Sequence, residues 1–321
     1  MKARHTIDDR YRSLLQKAVR RGDTELVFSV CTFMESQGVP SAAWIESRTA
    51  VIALAECWPL GLKIIFTKGF HSKVAALAAV AAYPKVRDAT GLGFLAYALS
   101  KGDSTVLDGS DADRTLRLLA KGLHHPPEFW HWITSQPAGD GVKNLWAHAR
   151  RYPESGRPHD RAVSQAAAYL ALTAAPPALQ PAAPAKQAFP FWVVFDRHTA
   201  EGQRVLRDVS RDLHIPAAQL EWVLYYFEGS MPNAELPSEW WRRYCRWHFQ
   251  RLGISPEEAE LIWRPAKSQI TDALAHESRK LQAELYRWKL GNLERIEALR
   301  RQVAIFNEHL AEVRRDQSSL F

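Results

Sequence analysis

The chain has 321 residues, 46% hydrophobic and 24% charged, with 12 Trp and a formal net charge of +7. Large apolar side chains in that proportion offset the entropy of ordering, so general disorder is excluded, and the length suits two domains. Three cysteines, Cys31, Cys57 and Cys245, are far apart, odd in number and without CxxC or Cys/His ligand spacing, which reads as reduced, buried thiols rather than disulfides or a zinc site.

The opening MKARHTIDDRYR places charges where a signal peptide needs an apolar run, and no later run has the length that crosses a bilayer, so a cytoplasmic location without membrane contact is expected. Residues 1–188 hold 23 Lys+Arg against 16 Asp+Glu, whereas residues 189–321 hold 19 of each, so the excess positive charge sits in the first part. Phosphate-contacting surfaces need such an excess, although many basic proteins touch no nucleic acid.

Residues 1–173 read as a basic domain of short helices. Asp8 and Asp9 precede an amphipathic run with Leu14, Leu15 and Ala18 on one side, and Gly22 stops it. Asp23 or Thr24 caps a second helix that ends near Gly38. Pro40 and Ser41 open a third, through Trp44, Ile45, Arg48, Ile52 and Ala55, which Pro59 and Gly61 terminate. Further helices are expected over 72–82, 89–100, 111–121, 126–135, 142–151 and 160–173. Residues 174–188, rich in Pro and Ala, cannot continue a helix and are expected to form an extended linker.

Residues 189–265 read as a second, Trp-rich helical domain. FPFWVVFD is either a short strand or a buried extended segment, and Thr199 is a helix cap. Helices are expected from Pro216 and from Pro237. Ser255-Pro256-Glu257-Glu258 combines a capping Ser, a first-turn Pro and a Glu three residues on, while Pro265 is expected to kink or restart that helix. Residues 266–316 form a long helix or helical hairpin. Leu281 to Val313 carry a 3,4 apolar spacing, a strict heptad between Leu299 and Val313, which suits a coiled-coil arm, self-association or contacts with other proteins. The predicted fold class is therefore all-α, two helical parts joined by a Pro/Ala linker.

Residues 317–321 are Gln-Ser-Ser-Leu-Phe. This resembles the Gln-x-x-Leu-Phe peptides that dock on the bacterial DNA polymerase III β sliding clamp, although Ser318 stands where the commonest of those peptides have Leu. The resemblance implies that Leu320 and Phe321 enter an apolar pocket and that Gln317 hydrogen-bonds beside it. Burying two such side chains contributes roughly 1.5–3 kcal/mol each, which after ordering costs leaves a micromolar-class tether. The alternative is a helix end whose Leu320 and Phe321 pack back on their own domain.

Tyr11 to Gly61 also resembles the helical region that follows the ATPase domain in the MgsA/RarA replication-associated recombination family. Ser13, Lys17 and Val19-Arg20 carry that likeness, with Arg48 and Ala55-Glu56 matching in part and Cys57 standing where the family has Asp. The ATPase part is missing, because no GxxxxGK[ST] occurs and Gly91-Leu92-Gly93 lacks the Lys and hydroxyl that hold phosphate and magnesium.

Two basic stretches are candidate nucleic-acid contacts: Arg10, Arg12, Lys17, Arg20 and Arg21 near the N-terminus, with Arg4, and Arg242, Arg243 and Arg246 interleaved with Trp240, Trp241, Tyr244 and Trp247. The bland readings are a solvated first helix and an amphipathic core helix, respectively. Asp196-Arg197-His198 and His159-Asp160 put acid beside imidazole, but neighbours in sequence do not face one another on regular structure. His124, His125 and His131 read as packing or turn polarity rather than zinc ligands. No catalytic set or cofactor is expected. The expectation is a non-catalytic replication or repair accessory factor recruited through the clamp, the alternative being a clamp-binding inhibitor or scaffold, phage or mobile-element encoded, that does not touch DNA.

Overall fold

Side chains that satisfy orphan backbone groups mark where the helices begin. In the computed structural model, which describes residues 8–64, 67, 69–137, 158–182, 188–229, 236 and 238–318, Asp8 accepts from Arg10 N at 2.9 Å and opens α1 (Asp9–Arg20). Asp23 accepts from Leu26 N at 2.9 Å and opens α2 (Thr24–Ser36), after Gly22 takes a positive φ of 75° that an L side chain would resist. The described residues are 79% helical, with fourteen α-helices and no strand, so the fold is all-α. Among them no helix is long and apolar enough to cross a membrane.

The third helix departs from its expected end. α3 runs Val39–Ile64, with a break at Cys57 (φ −153°, ψ 79°). There the passing strand-like segment supplies substitute partners: Val86 N donates to Glu56 O at 2.9 Å and Trp58 N to Val86 O at 3.4 Å. Pro59 thus falls in the first turn of the second half, where a missing N–H costs nothing. Gly61 serves packing, since a Cβ there would lie 2.8 Å from the backbone of Ala53 and Leu54.

α4 (Phe70–Ala82) is Ala-rich and buried along Val74–Ala81, the signature of a helix surrounded by others. α5 (Asp88–Ser100) is the second central helix. It packs on α6 (Ala112–His124), on α8 (Pro158–Thr173) and on α11 (Glu239–Arg251), with α7 (Pro126–Ser135) against α6. The Gly91-Leu92-Gly93 pair makes this possible, because a Cβ on Gly91 would stand 2.3 Å from Trp240 O and one on Gly93 2.8 Å from the Ala162 backbone. The helix expected over 142–151 lies outside the described residues.

Phe191–Val194 forms a 3-10 turn rather than a strand. With no neighbouring strand, the carbonyls of Val193 and Val194 are met by side chains of α1: Lys17 Nζ donates to the first and Ser13 Oγ to the second, the latter at 2.8 Å. Thr199 then caps α9 (Ala200–Asp212) through Gly202 N at 3.2 Å, followed by α10 (Ala217–Gly229) and α11. Ser255 and Glu258 form the reciprocal capping box of α12 (Pro256–Ala273), with Ser255 N donating to Glu258 at 2.6 Å and Glu258 N to Ser255 Oγ at 3.1 Å. Pro265 neither ends nor restarts α12. It lies on the exposed side, as does Leu261 at 66% exposure, whose carbonyl loses its helical partner.

α13 (Ala275–Leu290) and α14 (Leu293–Ser318) follow one another across Gly291 and Asn292. Leu281, Leu285, Ile296, Leu299 and Val303 are buried, α13 packing on α2 and on the 3-10 turn, α14 on α2 and α4. The seam as far as Val303 is therefore filled by the chain itself rather than offered to a coiled-coil partner. Arg295 pairs with Glu35 at 2.6 Å, and Arg300 with Glu25, fixing the start of α14 to α2.

The two-part division expected from the Pro/Ala segment is not reflected in the core. Buried side chains from Tyr11 to Val303 form one continuous cluster to which both parts contribute. Residues 174–182 carry no helix beyond Thr173, as expected, but they lie against the first part: Ala182 N donates to Ala82 O at 2.8 Å, and Leu179 packs on the core.

Candidate functional site

The residues that most resemble chemistry converge where α1 meets the turn at Asp196. Ser13 and Lys17, one helical turn apart, project toward the same side of α1. Lys17 Nζ lies 2.6 Å from Asp196 Oδ2, and Ser13 Oγ 3.4 Å from it. Asp196 Oδ1 accepts from His198 N at 2.9 Å and lies 3.1 Å from His198 Nδ1. Asp196 and His198 thus do face one another, contrary to expectation, because an Asx-type turn folds the chain back over two residues. Burial works against the Asp196 carboxylate, but Lys17 and His198 outweigh it and hold it well below the usual carboxylate range.

Around this pair opens a cavity of about 540 Å³, walled by α1, α3, the 190s turn, α9 and α10. Arg12, Lys17, Arg20, Arg48 and Arg197 reach it, as do Asp9, Asp196, Glu221 and Glu228, with Trp44, Ile52, Leu206, Leu224 and Tyr225 as its apolar wall. Arg48 is tied to Asp160 of α8. Arg197 is looser, 3.9 Å from Glu221 with its side chain 63% exposed. Burial raises the Glu228 carboxyl, against the pull of Arg21 and Lys267. His198 keeps its second ring nitrogen clear of the Asp196 contact, so the site can hold an anion or position a proton. Ser13 directs its own proton to the Val194 carbonyl.

Behind the cavity lies a buried ion cluster. Arg20, 5% exposed, donates to Glu56 Oε1 from Nε (3.0 Å) and Nη2 (2.8 Å), and Arg87 Nε stands 3.9 Å from Glu56 Oε2. Arg87 also donates to Tyr225 Oη at 2.8 Å and lies over the Trp241 ring at 3.6 Å. Burial raises the Glu56 carboxyl, but the charges of Arg20, Arg87 and Lys85 outweigh it, leaving it below its ordinary value.

The N-terminal basic residues therefore do not form the open patch expected of them. Arg10 pairs with Asp8 at 2.5 Å, Arg12 with Asp9 at 2.8 Å, Lys17 with Asp196, Arg20 with Glu56 and Arg21 with Glu228 at 3.2 Å. Arg4 lies outside the described residues. On α11 the interleaved pattern divides. Arg243 is buried and bonded to Ser110, Val106 O, Asp108 and Asp113, which removes it from any nucleic-acid surface, whereas Arg242 and Arg246 are exposed. Trp241, Tyr244 and Trp247 are core residues.

His159 packs against Tyr97 at 4.3 Å between ring centres, while its neighbour Asp160 accepts from Arg48. His124, His125 and His131 are exposed around the junction of α6 and α7. All three cysteines are buried and none of them forms a disulfide, and burial pushes the Cys57 thiol up to about 11. The side chain of Gln317 and all of Leu320 and Phe321 lie outside the described residues.

No family model, curated protein or solved structure matches this chain. The chemistry of the cavity is therefore read from its own side chains. Sequence reasoning missed the carboxylates that pair with α1, since Glu56 and Glu228 stand 36 and 207 residues from their arginines. One signal was present: a DRHT run directly after an apolar run marks a capped turn at the edge of a core.

Proposed function

We propose that the protein is a non-catalytic accessory factor of DNA replication or repair, recruited to DNA through the bacterial sliding clamp by Gln317, Leu320 and Phe321. The Gln-x-x-Leu-Phe pattern carries this reading. It is supported by the way α14 is held: Ile296, Leu299 and Val303 anchor the helix to α2 and α4, and its axis continues to Ser318. At 1.5 Å per residue, those further residues give the tail about 22 Å of reach beyond Val303. A tether of that kind raises the local concentration of the protein at DNA, so weak secondary contacts suffice.

One observation favours the second reading, a clamp-binding inhibitor or scaffold that leaves DNA alone: the cations of α1 are paired with carboxylates of the same chain. In the first reading the DNA contacts fall to exposed residues such as Arg242 and Arg246. Retention on immobilised clamp, comparing the intact chain with Leu320→Ala/Phe321→Ala, tests the tail, and equal retention removes the proposal. A DNA affinity that falls with salt between about 50 and 200 mM and weakens in Arg242→Gln/Arg246→Gln supports the first reading, and no DNA binding supports the second.

A further inference from the structure

The cavity at Asp196 is a feature that the clamp reading does not use. Its carboxylates are largely committed, Asp9 to Arg12, Asp196 to Lys17 and Glu228 to Arg21, so it does not offer a cation site. Its N–H donors are in surplus. Arg12 Nε is buried without an acceptor among the described residues. Arg48 has one nitrogen on Asp160, and Arg197 stands beyond hydrogen-bond distance from Glu221, at 3.9 Å. Each guanidinium has five N–H donors, so three of them with the free His198 nitrogen call for more acceptor oxygens than a carboxylate ligand provides.

The size and the wall define the rest of the ligand. A space of about 540 Å³ far exceeds a bare phosphate and lies within the ~300–1,000 Å³ range of small-molecule sites. The Arg12 guanidinium lies over the Trp44 ring at 5.5 Å, and Tyr225 and Leu224 continue the apolar side, a surface suited to a flat ring. We propose that this cavity binds a phosphate monoester of a sugar that also bears a planar ring, a nucleoside 5′-monophosphate either free or terminal in a strand, with its phosphate against Arg12, Arg48, Arg197 and His198. The site is independent of the tail, so a failure of clamp binding leaves it standing.

Calorimetric titration of the full chain with 2′-deoxyadenosine 5′-monophosphate, with deoxyadenosine, and with one oligonucleotide bearing either a 5′-phosphate or a 5′-hydroxyl tests it. The monophosphate saturates the protein, and removing its phosphate weakens binding by about tenfold or more. Arg197→Gln, at an exposed position that does not disturb folding, weakens it by about tenfold, whereas Glu221→Gln tightens it by releasing Arg197. An oligonucleotide that binds through its 5′-phosphate in an Arg197-dependent way identifies a strand end as the source; a monophosphate that binds while both oligonucleotides do not identifies a free nucleotide. Saturation by none of the phosphorylated probes, or affinities indifferent to both Arg197→Gln and Arg12→Gln, overturns the proposal.

Discussion

Glu56→Gln removes one charge at the centre of the fold and almost no volume. Glu56 is 1% exposed, Arg20 5% and Arg87 1%, so the substitution leaves two guanidiniums buried without the carboxylate that neutralises them. Breaking a buried pair from one side costs about 3–5 kcal/mol, against a total stability of about 5–15 kcal/mol for a folded domain. Urea unfolding followed by tryptophan emission reads this directly, because Trp58 and Trp241 are buried in the same core. The midpoint falls with an unchanged slope, and Arg20→Met/Glu56→Gln loses less than the sum of its single changes. The pH profile has a fixed sign. Because the folded carboxyl titrates below its unfolded value of about 4.3, its contribution is present above that pH and disappears as pH falls through the folded value. A loss below about 1 kcal/mol, or strictly additive single changes, refutes the assignment of Arg20, Glu56 and Arg87 to one buried cluster.

Other outcomes follow from the same packing. Arg243→Met removes four hydrogen bonds, two of them to Asp108 and Asp113, and destabilises by about 3–5 kcal/mol, while Arg242→Ala, at the adjacent exposed position, stays within about 0.5 kcal/mol in the same urea assay. Gly91→Ala drives a methyl into the Trp240 backbone and costs about 1–3 kcal/mol or more, whereas Gly291→Ala, with nothing nearer than 3.7 Å and φ −81°, is neutral or stabilises by about 0.4–1 kcal/mol. Burial, with Arg251 and Arg197 adding to it, lowers His248 to about 4, so folding stability falls as pH drops from about 6.5 toward that value, and His248→Gln flattens that part of the profile in pH-dependent unfolding.

What the sequence discloses here is what acts over one or two turns. The Asp8 and Asp23 caps, the reversal at Gly22 and the Ser255 capping box are complete within four residues, and helix ends follow them. Cys57 shows the opposite case. Pro59 signals a helix stop, but a segment 29 residues further on satisfies the broken backbone and lets the helix resume. Charge is the hardest property to place. Arg242 and Arg243 are neighbours of one type, yet the first is exposed and the second buried against acids 130 and 135 residues earlier in the chain. The basic run of α1 reads as a surface for the same reason: its carboxylate partners Glu56, Asp196 and Glu228 lie on other elements. Lys17 and Asp196 become half of a site only when the 190s turn folds onto α1.

The reading of this protein as a clamp-recruited factor rests on Leu320 and Phe321. Its most direct measurement is the affinity of the purified chain for purified bacterial β clamp by calorimetry, alone and with excess synthetic Gln-Ser-Ser-Leu-Phe peptide. The account predicts a micromolar-class Kd, on the order of 1–10 μM, that the peptide competes away and that Leu320→Ala/Phe321→Ala abolishes. An affinity that neither the peptide nor the substitutions change, or no binding at all, contradicts it.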